Sequence, residues 1–380
     1  MAFISEVAVR SEKLPTGQPF DPSVVPMPIP APLKKLVVSS TALFPWIPVL
    51  VYAVGVLRYV ELPGIYMDSI NPDFLAATIL SPNRDNPHWT MPGLGVPLLG
   101  NLYHGAQNVY TMLPALAVFG FNILAARVGQ ALLGGAIVAL LYRLVVKATK
   151  SAAIALGAAL LLATDVAFIA SFRTQNHIIL DGVAWVLCAA LLLIHDQPQA
   201  RSRASLIASG LFAGLGVYAY FVHAFFLPAL VIFLLLNTEG TQRSRALVWW
   251  GAGLALGSLP YVVGFVAMGV SLGGVGPLVE NLRSTTAAIA PFSKTLSLSD
   301  AYVNALELAR LAITNGGNES MIFHGLATPG VWIDVKFKLV LAAFAGLAVV
   351  LLAFRRELGV ARRQLGLLAW LLPLSYFMLA

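Results

Sequence analysis

Two acidic residues stand at the ends of apolar stretches, where charge is costly. The first stretch, about residues 36–60, ends at Glu61, and Asp68 follows in Tyr66-Met67-Asp68-Ser69-Ile70-Asn71-Pro72-Asp73. Asp181 closes Arg173-Thr174-Gln175-Asn176-His177-Ile178-Ile179-Leu180-Asp181, just ahead of a further apolar run. Ionisable residues at membrane depth are expensive to keep and are usually functional. A carboxylate there can take the proton of an attacking hydroxyl or amine, and neighbouring Arg, Lys or His can steady a departing anion. Arg173, His177 and Asp181 are spaced four apart, so a helical turn would project all three from nearly one face. A charge pair at a helix boundary reads the same spacing without chemistry. His104, beside Tyr103, and His223, after Tyr218 and Tyr220, complete the candidates.

Composition sets the medium in which these groups must work. The chain is 58% hydrophobic and 11% charged, with mean hydropathy +0.82, which points to a multispan membrane protein rather than a soluble one. Its formal charge of +7 does not point to nucleic acid, because the basic residues sit in short groups between apolar runs. They read as topology anchors. Cys188, the single cysteine, lies within an apolar run, so no intrachain disulfide can form. Residues 1–33 are polar and Pro-rich and read as a disordered cytoplasmic tail.

Apolar runs of about 20 residues place helices near 37–59, 124–146, 151–172, 178–195, 204–222, 223–236, 246–268, 337–354 and 365–380. The expected fold is all-α and polytopic, with about nine transmembrane helices. The stretch 204–236 could instead be one broken helix. Lys34 and Lys35, then Arg143, Lys147 and Lys150, Arg201 and Arg203, Arg243 and Arg245, and finally Arg355, Arg356, Arg362 and Arg363 fall at alternate ends of these runs. Placing every group in the cytoplasm satisfies the positive-inside rule with one zigzag. Residues 61–123, 173–181 and 269–336 then lie outside, and Asp68 shares a face with Asp181. The stretch 92–123, broken by Pro and Gly, reads as one or two juxtamembrane amphipathic helices at the outer surface. A tenth span over Val109–Asn122 is the competing reading, but it would place Arg143, Lys147 and Lys150 outside. The corresponding divisions are a core over 34–268, an extracytoplasmic loop over 269–336 and C-terminal helices over 337–380, the last ending within an apolar run and so read as truncated.

A run of short motifs carries a resemblance. Leu113-Pro114-Ala115-Leu116-Ala117-Val118-Phe119-Gly120-Phe121-Asn122 leads into Ala125-Ala126-Arg127-Val128. Leu141-Tyr142-Arg143, Leu161-Leu162-Ala163-Thr164, Ser171-Phe172-Arg173 and Leu180-Asp181 follow, with Gly214-Leu215-Gly216-Val217-Tyr218-Ala219-Tyr220 further on. In this order, over roughly residues 55–235, the chain resembles the C-type-fold membrane glycosyltransferases of the dolichyl-phosphate-mannose protein mannosyltransferase and aminoarabinose transferase superfamily. The likeness departs in places. Relatives often carry adjacent acids in the first outer loop, whereas Ser69 follows Asp68 here, and Asp165-Val166 stands where relatives often have Ser-Pro.

The resemblance implies transfer of a sugar from a polyprenyl-phosphate donor to a lipid, glycan or protein acceptor, in one inverting displacement. It implies a multi-pass protein of the bacterial cytoplasmic (inner) membrane, with its site facing outward. Asp68 matches the loop aspartate and would be the general base, with Asp181 as a second catalytic acid. Arg173, His104 and His223 would face the donor phosphate. Asp73, His177 and Tyr103 would orient the acceptor, although Asp73 reads first as the cap of a helix over Phe74–Leu80 and only second as an orienting group. Tyr103 and His104 also fit a surface helix that anchors at the headgroup layer. Asp165 reads as a buried partner of Arg173. No metal spacing is present, so a divalent cation would have to be assembled from distant segments. Within 269–336, residues 300–314 with Glu307 and Arg310 form a plausible amphipathic helix in a lid, while Asn318-Glu319-Ser320 fits a glycosylation triplet. Arg84, Asp85 and His88 read as a solvated loop. A secondary transporter and a noncatalytic membrane scaffold are the rival classes; the first should show repeats and mid-span breaks.

Overall fold

The computed structural model describes residues 43–61, 70–81, 90–91, 96–173, 180–196, 201–289, 303, 310, 329–354 and 357–379. Asp68, His177, Glu307, the Asn318-Glu319-Ser320 triplet, Arg84, Asp85, His88 and the N-terminal tail lie outside the described residues. The protein is an all-α membrane protein. Its helices are α1 (Trp46–Leu57), α2 (Ile70–Leu80), α3 (Gln107–Phe119), α4 (Ile123–Thr149), α5 (Ala152–Ala163) and α6 (Val166–Arg173). Then come α7 (Asp181–Leu193), α8 (Arg203–Ala219), α9 (Leu227–Leu236), α10 (Arg243–Ser271), α11 (Val275–Ile289), α12 (Pro329–Ala353) and α13 (Val360–Leu379). A two-residue antiparallel ladder joins β1 (Thr90–Met91) to β2 (Val96–Pro97).

Local chemistry sets several of these boundaries. The Asn122 side chain accepts from the Ala125 N–H at 2.8 Å and starts α4, which closes at Lys150 in the left-handed region with φ 57°. Ser151 and Ser202 cap α5 and α8 in the same way. Gly120, at φ 74°, makes the turn between α3 and α4, a conformation that glycine adopts without strain. Among the described residues, three helical stretches are long and apolar enough to cross a membrane: Ile123–Thr149, Gly240–Ser271 and Asp334–Ala353. The pair α5 and α6, bent by 57°, would make a fourth, and four shorter apolar helices accompany them.

The hydrogen bonds between elements sort the helix ends into two groups. At one end, Lys147 Nζ donates to the Leu191 carbonyl at 2.7 Å, and Lys150 pairs with Asp196 at 2.8 Å. Arg201 donates to Leu193 and to Asn237, both at 2.9 Å, and Arg362 donates to Thr149 at 2.9 Å. Among the described residues, Lys147, Lys150, Arg201 and Arg362 therefore meet at one end of the helices. The Arg201 bond to Asn237 also ties the start of α8 to the end of α9. The two helices therefore run in opposite directions, and a 3-10 segment over Phe221–Phe226 reverses the chain between them. One broken helix across 204–236 is excluded.

The tightest packing joins α8 to α10. The carbonyl of Trp250 occupies the space where a Cβ on Gly210 would stand, and Ile207 does the same to Gly253. Gly214 and Gly257 repeat the contact one turn on. Where lipid removes the hydrophobic drive between helices, small residues let backbones approach and gain dispersion contacts.

One short helix, α3, lies within the stretch 92–123, where the sequence places juxtamembrane helices. Helix α3 has only 13 residues, short of the roughly 20 a span needs. It turns Gln107 and Asn108 inward and leaves Pro114, Val118 and Phe119 exposed. A helix lying at the membrane surface likewise turns its apolar side chains toward lipid, and the polar groups facing inward can be satisfied by the protein. Below it, Leu75 and Ala76 of α2 are fully buried against Val109, Met112 and Leu116.

Candidate functional site

At the end opposite the basic residues, a loop over Leu98–Ala106 folds back onto the ends of α8 and α10. Asn101 organises it by accepting from the N–H groups of Tyr103 at 2.7 Å and His104 at 3.2 Å, an Asx turn. The Gly105 N–H donates to the Tyr218 carbonyl at 2.7 Å, and the Ala106 N–H donates to the Tyr218 hydroxyl at 3.2 Å. Tyr218 lies so close over Gly105 that no side chain would fit there. Tyr261 donates to the Leu102 carbonyl at 3.0 Å, and the Phe221 N–H donates to the Tyr103 carbonyl at 2.9 Å. Tyr103 and His104 therefore occupy a pinned loop. They do not lie on a surface helix, because α3 begins only at Gln107.

That pinning buries His104, which is 3% exposed and stacks on Tyr220 with ring centres 6.0 Å apart. Its Nδ1 lies 2.9 Å from the Gly105 carbonyl, which can only accept, so Nδ1 carries the proton. Burial pushes the imidazole pKa down, against a smaller upward pull from that carbonyl. His223 repeats the arrangement on the 3-10 segment: it is 2% exposed, with Nδ1 3.1 Å from the Tyr220 carbonyl. In the neutral form both rings present Nε2 as an acceptor.

Asp181 is the first residue of α7 and is 1% exposed. The His223 ring lies against Gly182, its neighbour. One turn on, Trp185 Nε1 donates to Gln107 Oε1 at 2.6 Å and ties α7 to α3. The structure thus brings Asp181, His223 and His104 into one buried neighbourhood, through Gly182 and Tyr220. Arg173 ends α6 at the same side of its helix break, half-buried, with Arg58 within electrostatic reach. Arg173 and Asp181 therefore fall on two different helices. Asp73 sits in the first turn of α2, which begins at Ile70, so it does not cap a helix over Phe74–Leu80.

Asp165 is paired, as the sequence suggested, but with a different partner. Lys336 on α12 meets it at 2.6 Å, while Asp165 Oδ1 accepts from the Phe168 N–H at 2.8 Å and starts α6. Sequence reasoning also gave no role to Gln107, Trp185 or Gly182, and it treated Arg127 only as part of a motif. Arg127 is 1% exposed and donates from Nη1 to the Val60 carbonyl, tying α4 to the turn that leads toward Asp68. A lone Arg inside an apolar run was the available signal. Among the described residues, no group of three His, Cys, Asp or Glu could hold a metal ion.

The segment that builds this end can be compared with known families. Residues 109–264 match the family model described as Dolichyl-phosphate-mannose-protein mannosyltransferase. The mannosyltransferase match runs from α3 into α10, so it takes in Arg173, Asp181 and His223. Asp68, Asp73, Tyr103 and His104 precede it. The family is one of glycosyltransferases, and the resemblance read from the sequence holds over this stretch. It extends beyond the expected limit near residue 235 through most of α10. No curated protein matches the chain.

Proposed function

We propose that the chain transfers a sugar from a polyprenyl-phosphate donor to an acceptor on the extracytoplasmic face of the membrane. The observation that carries this reading is the burial of Asp181, His223 and His104 together at the end of the helices opposite the basic residues. With the basic end in the cytoplasm, this end faces outward, at the level of lipid phosphates. Buried ionisable groups at that level suit the binding of a sugar phosphate and the transfer of a proton.

In the reaction, the acceptor oxygen or nitrogen attacks the anomeric carbon and its proton passes to Asp68. The bond from that carbon to the phosphate oxygen breaks, and the polyprenyl phosphate leaves with both electrons and inversion at carbon. Arg173 faces the phosphate. His104 and His223 contribute through Nε2, since Nδ1 is held by a carbonyl in each. A phosphate anion bound beside them favours the imidazolium against their burial, and each Nε2–H then donates a charge-assisted bond to it. Asp181 orients His223 or the acceptor, and Asp73, His177 and Tyr103 are the further candidates for orienting the acceptor. About nine spans over the whole chain, in a bacterial inner membrane, complete the reading.

A secondary transporter has one observation in its favour. Helices α5 and α6 break by 57° at Asp165, which is paired to Lys336, and a charged mid-span break is a transporter feature. The two readings separate in one experiment. Purified protein is incubated with radiolabelled polyprenyl-phosphate sugars beside an Asp68→Asn variant. Asp68-dependent release of label from one donor supports transfer. Uptake of a solute into vesicles, lost in Asp165→Asn, without release of any sugar, would support the transporter.

A further inference from the structure

A cavity of about 620 Å³ opens at the basic end, the end opposite Asp181, His104 and His223, between the end of α9 and the starts of α10 and α13. Two guanidinium groups line it, Arg243 and Arg363. Arg243 spends its Nε–H on the Thr238 carbonyl at 3.0 Å, which fixes the stem and leaves the outer part of the fork to face the cavity. The lining acids are Asp196 and Glu239. Asp196 is already paired with Lys150 at 2.8 Å, and the hydrogen bond from that ammonium holds its carboxyl below the usual range. Lys150, Arg243 and Arg363 against Asp196 and Glu239 leave one positive charge at the rim, and Lys147, Arg201 and Arg362 add to the field. The first N–H groups of α10 and α13 also emerge here and reinforce it.

The remaining wall is apolar. Leu236, at the last turn of α9, is 62% exposed, and Leu367, one turn beyond Arg363, faces it from α13. A soluble phosphate has no use for those leucines. A phospholipid uses both walls, with its phosphodiester between the arginines and its acyl chains along α9 and α13. We propose that this cavity binds the phosphate headgroup of an anionic membrane lipid. The site lies outside the transfer chemistry and stands or falls separately from it.

The test uses the purified full chain in detergent, titrated with phosphatidylglycerol, with phosphatidylcholine of the same acyl chains, and with inorganic phosphate. Native mass spectrometry counts retained lipid, and a thermal melt reads stability. Phosphatidylglycerol should be retained and should raise Tm, while the other two should do neither. At about 1 kcal/mol per surface Arg, Arg243→Gln with Arg363→Gln should weaken retention about 30-fold. Arg245→Gln removes one exposed charge that does not line the cavity and should weaken retention by less than the roughly fivefold that this scale assigns to one cavity arginine. Leu367→Trp fills the apolar wall without changing charge, and should weaken retention even if the double variant fails to fold. Equal retention of phosphatidylcholine, unchanged binding by Leu367→Trp, or the same Tm rise with inorganic phosphate would overturn the proposal.

Discussion

The imidazole of His223 stands so close to Gly182 that a Cβ on the glycine would fall 2.5 Å from its Cε1 and Nδ1. This contact joins the segment that reverses the chain after α8 to the helix that begins with Asp181. It fixes the position of both groups with no side chain between them. Gly182→Ala must displace a buried ring, and overpacking of this kind costs about 1–3 kcal/mol. The variant should fold, melt several degrees lower and lose sugar transfer, as read by circular dichroism and by donor turnover.

His104 gives a pH dependence with a definite sign. Its folded-state pKa is depressed by burial, so the unfolded chain binds the proton more readily. The neutral ring's contribution is complete above the unfolded value of about 6.5 and is lost as pH falls toward the folded one. The melting temperature of the wild type should therefore fall as pH drops through that window. His104→Phe keeps the stack on Tyr220 without a titrating group and should flatten the slope. A slope unchanged in His104→Phe would assign the effect to other groups.

Arg127 makes a prediction about the first loop. Its bond to the Val60 carbonyl ties α4 to the segment that continues to Asp68. Arg127→Met keeps most of the stem but removes the charged donor from the half-buried Val60 carbonyl, at a cost of about 1.5–3 kcal/mol. If the bond positions the loop, kcat should fall more than the loss of stability explains at temperatures where the variant is fully folded. Donor retention by native mass spectrometry should change little.

The glycines between α8 and α10 are a packing device. Gly253→Leu places a side chain where the Ile207 carbonyl lies, and the helices must separate. A loss of more than about 3 kcal/mol is expected, above the usual overpacking range because the obstacle is backbone. The melt of Gly253→Leu against that of Gly251→Leu reads this directly, since Gly251 has nothing within contact of its Cβ position.

Some of this architecture was legible in the sequence because membrane insertion imposes simple rules. The apolar run expected over 124–146 is α4, Ile123–Thr149, and the scattered groups at Lys147, Arg201 and Arg362 do gather at one end. Charge position and apolar length report on each helix separately, so they survive without tertiary knowledge. The rest depends on contacts distant in sequence. His104 looks like an interfacial anchor until Tyr218 and Tyr220 close over its loop. Asp165 looks like the partner of nearby Arg173 until α12 delivers Lys336. The inward turn of Gln107 and Asn108 on α3 was not legible either, because Gln107 meets Trp185 of α7 only in the folded chain.

The central claim is carbohydrate transfer at the Asp181 end. The most direct measurement follows radiolabel from a panel of polyprenyl-phosphate sugars in the wild type, Asp68→Asn and Asp181→Asn. The account predicts release of one sugar by the wild type and a drop of about 100-fold or more in Asp68→Asn, the scale expected for a general base. Asp181→Asn should also lower release, with donor still bound in both variants. No release of any sugar, or release indifferent to both aspartates, would contradict it.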